Sequence, residues 1–371
     1  MDGARGAVED LVDMRADVWR NRSVLLTGHT GFKGSWLSLW LTELGAAVHG
    51  YSLEPPTVPS LFEVGRLRST LASNTHADLA DLDRLRSLVL SCQPEVIFHL
   101  AAQPLVRASY DDPLGTLATN VMGTAHLLEA VRASESVRAV VVVTTDKVYD
   151  DHESNRPHRE GDRLGGHDLY SGSKAAAELV VASYRASFFA AGRRPVRVAT
   201  ARAGNVIGGG DWAADRLVPD CLRAFADSRP VELRYPHAVR PWQHVLEPLA
   251  GYLVLAQRML EPQGSDAECA WNFGPNPEDS ASVGEVAAAV ARLWREGASV
   301  VHAPSDANPR ESPVLRLDSS RARSQLGWSP RWSLTRALEA TVAWHRDWLR
   351  GADMQSCTRE QILGYMSSPQ Q

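Results

Sequence analysis

Tyr170 and Lys174 stand four positions apart in Tyr170-Ser171-Gly172-Ser173-Lys174, so on a helix they share a face. A phenol with a pKa of ~10 is a poor base near neutrality, but an ammonium ~4 Å away contributes ~4 kcal/mol at an effective dielectric of ~20, about three pKa units. Such a pair can take the proton of a hydroxyl. The spacing is common on helix surfaces, and its weight comes from its company. Thr144-Thr145-Asp146-Lys147 closes an apolar run upstream and adds a hydroxyl, a carboxyl and an amine. Thr27-Gly28-His29-Thr30-Gly31-Phe32-Lys33-Gly34 follows the first apolar run with the spacing Gly-x-x-Gly-x-x-Gly. Glycines there tighten a strand-to-helix turn and let backbone amides approach a pyrophosphate, whose charge the helix N-terminus stabilises.

These groups need a scaffold that brings strand ends together. Short apolar runs at 23–27, 47–52, 95–100, 139–145 and 196–203 alternate with helical stretches at 35–44, 82–91, 113–133 and 170–191. Each helical stretch is long enough to return the chain to the same edge, the pattern of an α/β, doubly wound parallel sheet of Rossmann type. After about residue 204 the spacing loosens through Gly-rich and Pro-rich loops. A helix at 283–294 with a capping box at Ser282 and Glu285, a short strand at 314–318 and a last helix from Leu334 predict a smaller C-terminal lobe. The expected division is an extension at 1–20, a dinucleotide-binding domain at 21–204, a substrate-binding lobe at 205–350 partly interleaved with it, and a tail at 351–371. The tip of the second strand, Gly50-Tyr51-Ser52-Leu53, places Glu54 slightly late to hold an adenosine ribose and offers no arginine for a 2′-phosphate, which favours NAD over NADP.

Composition narrows the rest. The 371 residues are 44% hydrophobic and 22% charged with a net charge of −5, a globular balance without the field that draws in nucleic acid. The purest apolar run, 139–143, is far short of the ~20 residues that span a bilayer. Cys92, Cys221, Cys269 and Cys357 form no CxxC pair, so neither a metal site nor a disulfide framework is expected, and a reducing, cytoplasmic setting fits.

The strings 27–36, 99–110, 144–150, 165–174, 202–212, 240–245 and 326–332 together resemble the extended short-chain dehydrogenase/reductases that act on nucleotide sugars, and within them the CDP-glucose 4,6-dehydratase branch. The resemblance runs from about residue 19 to 348 with the motifs in the family's order. It implies an NAD-dependent lyase that oxidises carbon 4 of a hexose, eliminates the carbon-6 hydroxyl as water and returns the hydride to carbon 6. By this resemblance Tyr170, Lys174 and Thr145 serve carbon 4, Asp146 protonates the departing hydroxyl, and Lys147 handles the carbon-5 proton, either as a neutral base or as a cation stabilising the enolate. Where this chain has Asp146-Lys147 the dTDP-glucose enzymes have Asp-Glu, so Lys147 points to the CDP-sugar branch.

The resemblance further implies cofactor contacts from Gly28, His29, Thr30, Gly31, Phe32, Lys33, Gly34, Ser52, Asp78, Leu79, Ala101, Ala102, Tyr170 and Lys174. Substrate contacts would come from Gln103, Asn205, Arg216 and Arg240, an arginine fork suiting a diphosphate. His99 would close the cofactor floor, and Arg310 stands where the family has a histidine. Enzymes of this scaffold dimerise through the helices that here lie at 113–133 and 170–191, with Leu179, Val180 and Tyr184 as candidates for the seam of a homodimer. Two other readings remain: another nucleotide-sugar dehydratase or 4-epimerase, which in the epimerase case needs no acid/base pair after Thr145, and a non-catalytic nucleotide-binding sensor, which could lose Tyr170 or Lys174.

Overall fold

Strand β1 (Ser23–Thr27) opens a seven-stranded sheet with β2 (Ala47–Ser52), β3 (Ser73–His76), β4 (Val96–His99), β5 (Ala139–Val143), β6 (Arg197–Ala203) and β7 (Ala270–Phe273). Their order is β7-β6-β5-β4-β1-β2-β3, and every neighbouring pair is parallel. The computed structural model describes residues 16–150, 156–190, 195–295, 297–302 and 314–371. Residues 1–15 of the expected extension, and Arg310, lie outside them.

Parallel strands are covered on both faces, which is why β5 reads Ala-Val-Val-Val-Val and is buried throughout. Alternate side chains feed two cores: Val24 and Leu26 point into one, Leu25 into the other. The first core takes α1 (Phe32–Glu43) and the buried stripe of a later helix, Leu246–Leu260. The second takes α2 (Leu82–Cys92), α3 (Gly123–Arg132) and α4 (Leu169–Tyr184). A third core joins α5 (Leu217–Ala226), α6 (Val283–Trp294) and α7 (Leu334–Leu349) into the smaller lobe. The capping box at Ser282 and Glu285 starts α6 as expected. The sheet order reverses between β1 and β4, the place where open α/β sheets bind ligands beyond their strand ends.

Four differences from the sequence reading have physical causes. Strand β3, Ser-Asn-Thr-His, is a polar edge strand, so it carries no apolar alternation to find. The stretch 113–133 is not one helix: Pro113–Leu117, capped by Asp112, runs through a π turn at Ala118–Met122 into α3. The 314–318 stretch makes only isolated bridges, Val314 to Val239 and Leu317 to His158. Within 351–371, a helix at Met354–Met366 buries Met354, Thr358, Ile362 and Tyr365, and three of these join the first core. No helix among the described residues is long and apolar enough to cross a membrane.

Candidate active site

The β1–α1 turn is built around close backbone approach. Gly28 sits at φ +76°, and a Cβ there would lie 2.6 Å from the Ala101 nitrogen; a Cβ on Gly34 would fall 2.0 Å from the Gly28 carbonyl oxygen. Gly31 caps α1 with no side-chain hydrogen bond, and no acid occupies the first turn. The first amides of a twelve-residue helix thus face the strand ends with no side chain to satisfy them, a cradle fitted to the pyrophosphate of a dinucleotide.

Around this turn the expected residues divide. The Thr30 hydroxyl meets Ser52 at 2.8 Å and donates to the Leu53 carbonyl at 3.0 Å, tying the turn to the tip of β2. Asp78 is exposed just beyond β3, and its Oδ1 accepts from the Ala80 amide. Leu79 is buried where Gly123 gives it room, while Ala101 and Ala102 follow β4 beside Gly28. Phe32 packs into the first core. His29 turns away from the cleft: its Nε2 meets Asn74 at 2.5 Å beneath Gly50, and burial lowers it to about 4, so it is a neutral packing group. His99 is likewise buried, held between Thr27 and Thr124 and lowered to about 3 by burial. Glu54 is exposed and pairs with His76.

Asp168 caps α4 by accepting from the Ser171 amide at 2.9 Å, which starts the helix so that Tyr170 and Lys174 face the end of β5. The Tyr170 phenol hydrogen-bonds the Thr145 hydroxyl. Burial pushes it up to about 12 and Asp146 adds to this, while Thr145 and the Arg216 guanidinium oppose. The expected three-unit lowering by Lys174 is not what this geometry does. Lys174 instead donates to the Val143 carbonyl at 3.1 Å, with burial lowering it to about 8 against the pull of Glu178. The burial cost of a phenolate exceeds what the cations here return.

Asp146 is almost fully buried. Its Oδ1 accepts from the Thr145 hydroxyl at 3.0 Å and lies 3.8 Å from the Lys147 ammonium, whereas Oδ2 is buried without a hydrogen-bond partner. A Cβ at Gly204 would come within 2.8 Å of that oxygen. Arg216 pairs with Asp211 at 2.9 Å and lies within electrostatic reach of Tyr170 and Lys33. Arg240 is buried on the short strand Val239–Pro241, and Asn205 follows β6, its carbonyl holding the Gln243 amide at 3.0 Å. Gln103 spends its side chain internally, donating to the Thr116 hydroxyl and accepting from the Leu105 amide.

Lys33 was expected as a cofactor contact, whereas Asn120, Glu178 and Arg202 were not read from the sequence. Lys33 reaches into the cleft, where burial, helped by Arg216 and Lys174 and opposed by Asp146, lowers it to about 7. The chain contains three lysines in all, Lys33, Lys147 and Lys174, and all three gather here. Asn120, in the π turn, donates to Ser173 at 2.8 Å and accepts from the Gln103 amide at 2.9 Å, fastening the loop after β4 to α4. Glu178 and Arg202 form a buried pair behind Lys174.

A family model described as GDP-mannose 4,6 dehydratase matches residues 25–341. The CDP-glucose 4,6-dehydratase of Salmonella typhimurium is 50% identical over 94% of this chain and 98% of its own length. The dTDP-glucose 4,6-dehydratase of Xanthomonas campestris is 24% identical over 88% of this chain and 95% of its own. Among solved structures, MoeE5 in complex with UDP-glucuronic acid and NAD superposes with a TM-score of 0.73 at 27% identity, covering 87% of this chain and 99% of that one. The epimerase Mth375 of Methanothermobacter thermautotrophicus, at 22% identity, shares the fold with a TM-score of 0.77 over 92% of this chain and 96% of that one. With the model spanning most of the chain and half of all residues shared with a full-length relative, the chain belongs to the GDP-mannose 4,6-dehydratase family of nucleotide-sugar enzymes.

Proposed function

We propose that this protein converts CDP-glucose to CDP-4-keto-6-deoxyglucose and water. The observation that carries the reading is the buried, unpartnered Asp146 Oδ2 beside Lys147 and the Tyr170–Thr145 pair, on a chain half identical to a CDP-glucose 4,6-dehydratase. An enzyme that only oxidises and reduces carbon 4 has no use for that acid.

NAD is the cofactor, and the open N-terminus of α1 with Gly28, Gly31 and Gly34 fits its pyrophosphate. When bound, it would supply a reversible hydride acceptor for the hydrogen of carbon 4 that ends on carbon 6. The remaining work falls to side chains. Tyr170, hydrogen-bonded to Thr145, takes the proton of the carbon-4 hydroxyl, and Thr145 then holds the resulting carbonyl oxygen. Burial holds the Tyr170 phenol high against the opposing Thr145 hydroxyl and Arg216 guanidinium, and the positive charge that oxidised NAD would bring beside it would favour the phenolate. The ketone acidifies carbon 5, whose proton Lys147 removes and gives back to carbon 5 once water has left, as carbon 6 is reduced. Asp146 donates from Oδ2 to the carbon-6 hydroxyl as it leaves. Arg216 and Arg240 offer guanidinium groups for the diphosphate. Asn120 and Gln103 hold the loop that walls the site.

We infer a homodimer formed by the helices at 113–132 and α4. Leu114, Met122 and Leu179 stand 79%, 51% and 59% exposed there, while Val180 and Tyr184 pack against the second core. The reading places the reaction in the cytoplasm, with all four cysteines free.

The test is to incubate protein and NAD separately with CDP-glucose, dTDP-glucose, UDP-glucose and GDP-mannose and to measure water loss by mass spectrometry. Loss from CDP-glucose alone supports the reading. Loss from another sugar nucleotide overturns the substrate, and isomerisation without water loss overturns the reaction.

A further inference from the structure

Glu178 and Arg202 form an ion pair that the steps above do not use, with side chains only 4% and 3% exposed. Glu178 lies one turn beyond Lys174 on the same face of α4. Its Oε1 accepts from the Thr144 hydroxyl at 2.6 Å and from Arg202 Nε at 2.8 Å. Its Oε2 accepts from the Thr200 hydroxyl at 2.6 Å and from Arg202 Nη2 at 2.9 Å. The other guanidinium nitrogen, Nη1, donates to the Tyr149 hydroxyl at 3.0 Å and to the Glu160 carbonyl at 3.1 Å. One carboxylate therefore joins the end of β5, the middle of β6 and α4. Burial opposes its charge, but Arg202 and the two hydroxyls win and hold it below the usual carboxylate range.

Stability alone is a weak reason for such a pair, because well-packed apolar residues do as well or better in its place. Position gives a stronger one. Thr144 directly precedes Thr145, and the Val143 carbonyl beside it receives the Lys174 ammonium. The charged and titratable groups within electrostatic reach of Lys174 are His99 from β4, Lys33 from α1 and Glu178 on its own helix. His99 is neutral and Lys33 repels; Glu178 supplies the negative charge that opposes the burial of Lys174.

We propose that Glu178, oriented by Arg202, is a positioning residue for the dehydration: it fixes Thr144 so that Thr145 meets Tyr170, and it stands as the counter-charge one turn from Lys174. This rests on the assignment of Tyr170 and Lys174 as the groups that act at carbon 4. Removing a unit charge at about 6 Å under an effective dielectric of about 20 moves a neighbouring titration by about two pH units.

Because the chain has three lysines, carbon-13 labelling at lysine Cε gives three side-chain signals, with Lys174 assigned by its loss in Lys174→Arg. The full-length protein is titrated as wild type, Glu178→Gln, Glu178→Gln/Arg202→Gln and Thr144→Val, alongside pH profiles of kcat/KM for water loss from CDP-glucose. In Glu178→Gln the Lys174 titration and the alkaline limb of kcat/KM both move down by about two units. In the double variant, where the local charge is again balanced, both return more than halfway. Thr144→Val removes a hydroxyl but no charge; it lowers kcat/KM about tenfold and leaves the alkaline limb in place. A Lys174 titration that stays within half a unit in a folded Glu178→Gln protein overturns the proposal, as does activity lost equally at every pH in the single and double variants. If Lys174 shifts and the kcat/KM limb does not, the assignment of Lys174 to catalysis is refuted, and the positioning role with it.

Discussion

Asp146→Asn separates the two halves of the proposed chemistry. An amide is nearly isosteric with the carboxylate: Asn Oδ1 can keep accepting from the Thr145 hydroxyl at 3.0 Å, and Gly204 still leaves room for the second atom. The 3.8 Å contact with the Lys147 amine is kept by an amide oxygen at the same place, so the variant folds. What disappears is the acidic proton at Oδ2. Loss of a positioned general acid costs about 10²–10⁴ in rate, equivalent to about 3–5 kcal/mol of barrier. Oxidation at carbon 4 and exchange at carbon 5 need Tyr170 and Lys147 and persist. The assay is mass spectrometry of CDP-glucose incubated with the variant and NAD in D₂O. The expected result is recovered substrate carrying one deuterium, with water loss slowed by at least a hundredfold. Water loss within a few-fold of wild type refutes Asp146 as the acid; loss of exchange together with elimination shows that it acts earlier, at carbon 4.

Other expectations follow from the same geometry. In Gly34→Ala the new methyl falls 2.0 Å from the Gly28 carbonyl oxygen, so the turn must open; NAD affinity measured by calorimetry drops at least tenfold and stability falls by about 1–3 kcal/mol. Lys33 is held at about 7 against an unfolded 10.5, so the folded state binds fewer protons between those values and gains stability as pH rises through them. Lys33→Met relieves that cost, and the Tm of the variant apoprotein exceeds wild type at about pH 6.5 by a margin that shrinks toward about pH 10; a margin independent of pH contradicts this. If the wild type sediments as the proposed dimer at micromolar concentration, Leu179→Asp, on the exposed face of α4, sediments as a monomer; an unchanged sedimentation coefficient contradicts this seam, and a monomeric wild type contradicts the dimer itself.

Much of the fold was legible because parallel strands buried on both faces are written in apolar side chains: β1, β2, β5 and β6 fall where the runs in the sequence place them. Strand β3 was not, since an edge strand of Ser-Asn-Thr-His buries too little to leave a pattern. The π turn at 118–122 is invisible to a 3.6-residue period, yet it aims Asn120 at Ser173. In the site, the sequence placed Tyr170, Lys174, Thr145 and Asp146 at the end of β5 but did not foresee their electrostatics. The helix places Lys174 on the Val143 carbonyl, and burial decides the state of the phenol. Glu178 and Arg202 carried a signal in retrospect: past Arg197, Thr200 and Arg202 are the polar residues of β6 and share one face of it, and a polar face inside a core needs a partner.

The most direct test of the central claim follows the hydrogen on carbon 4. CDP-glucose deuterated at that position, incubated with the protein and a catalytic amount of NAD and no external reductant, gives a product that has lost water and carries the deuterium on carbon 6. Deuterium retained on carbon 4 without loss of water, or released to solvent, contradicts internal oxidation, elimination and reduction at this site.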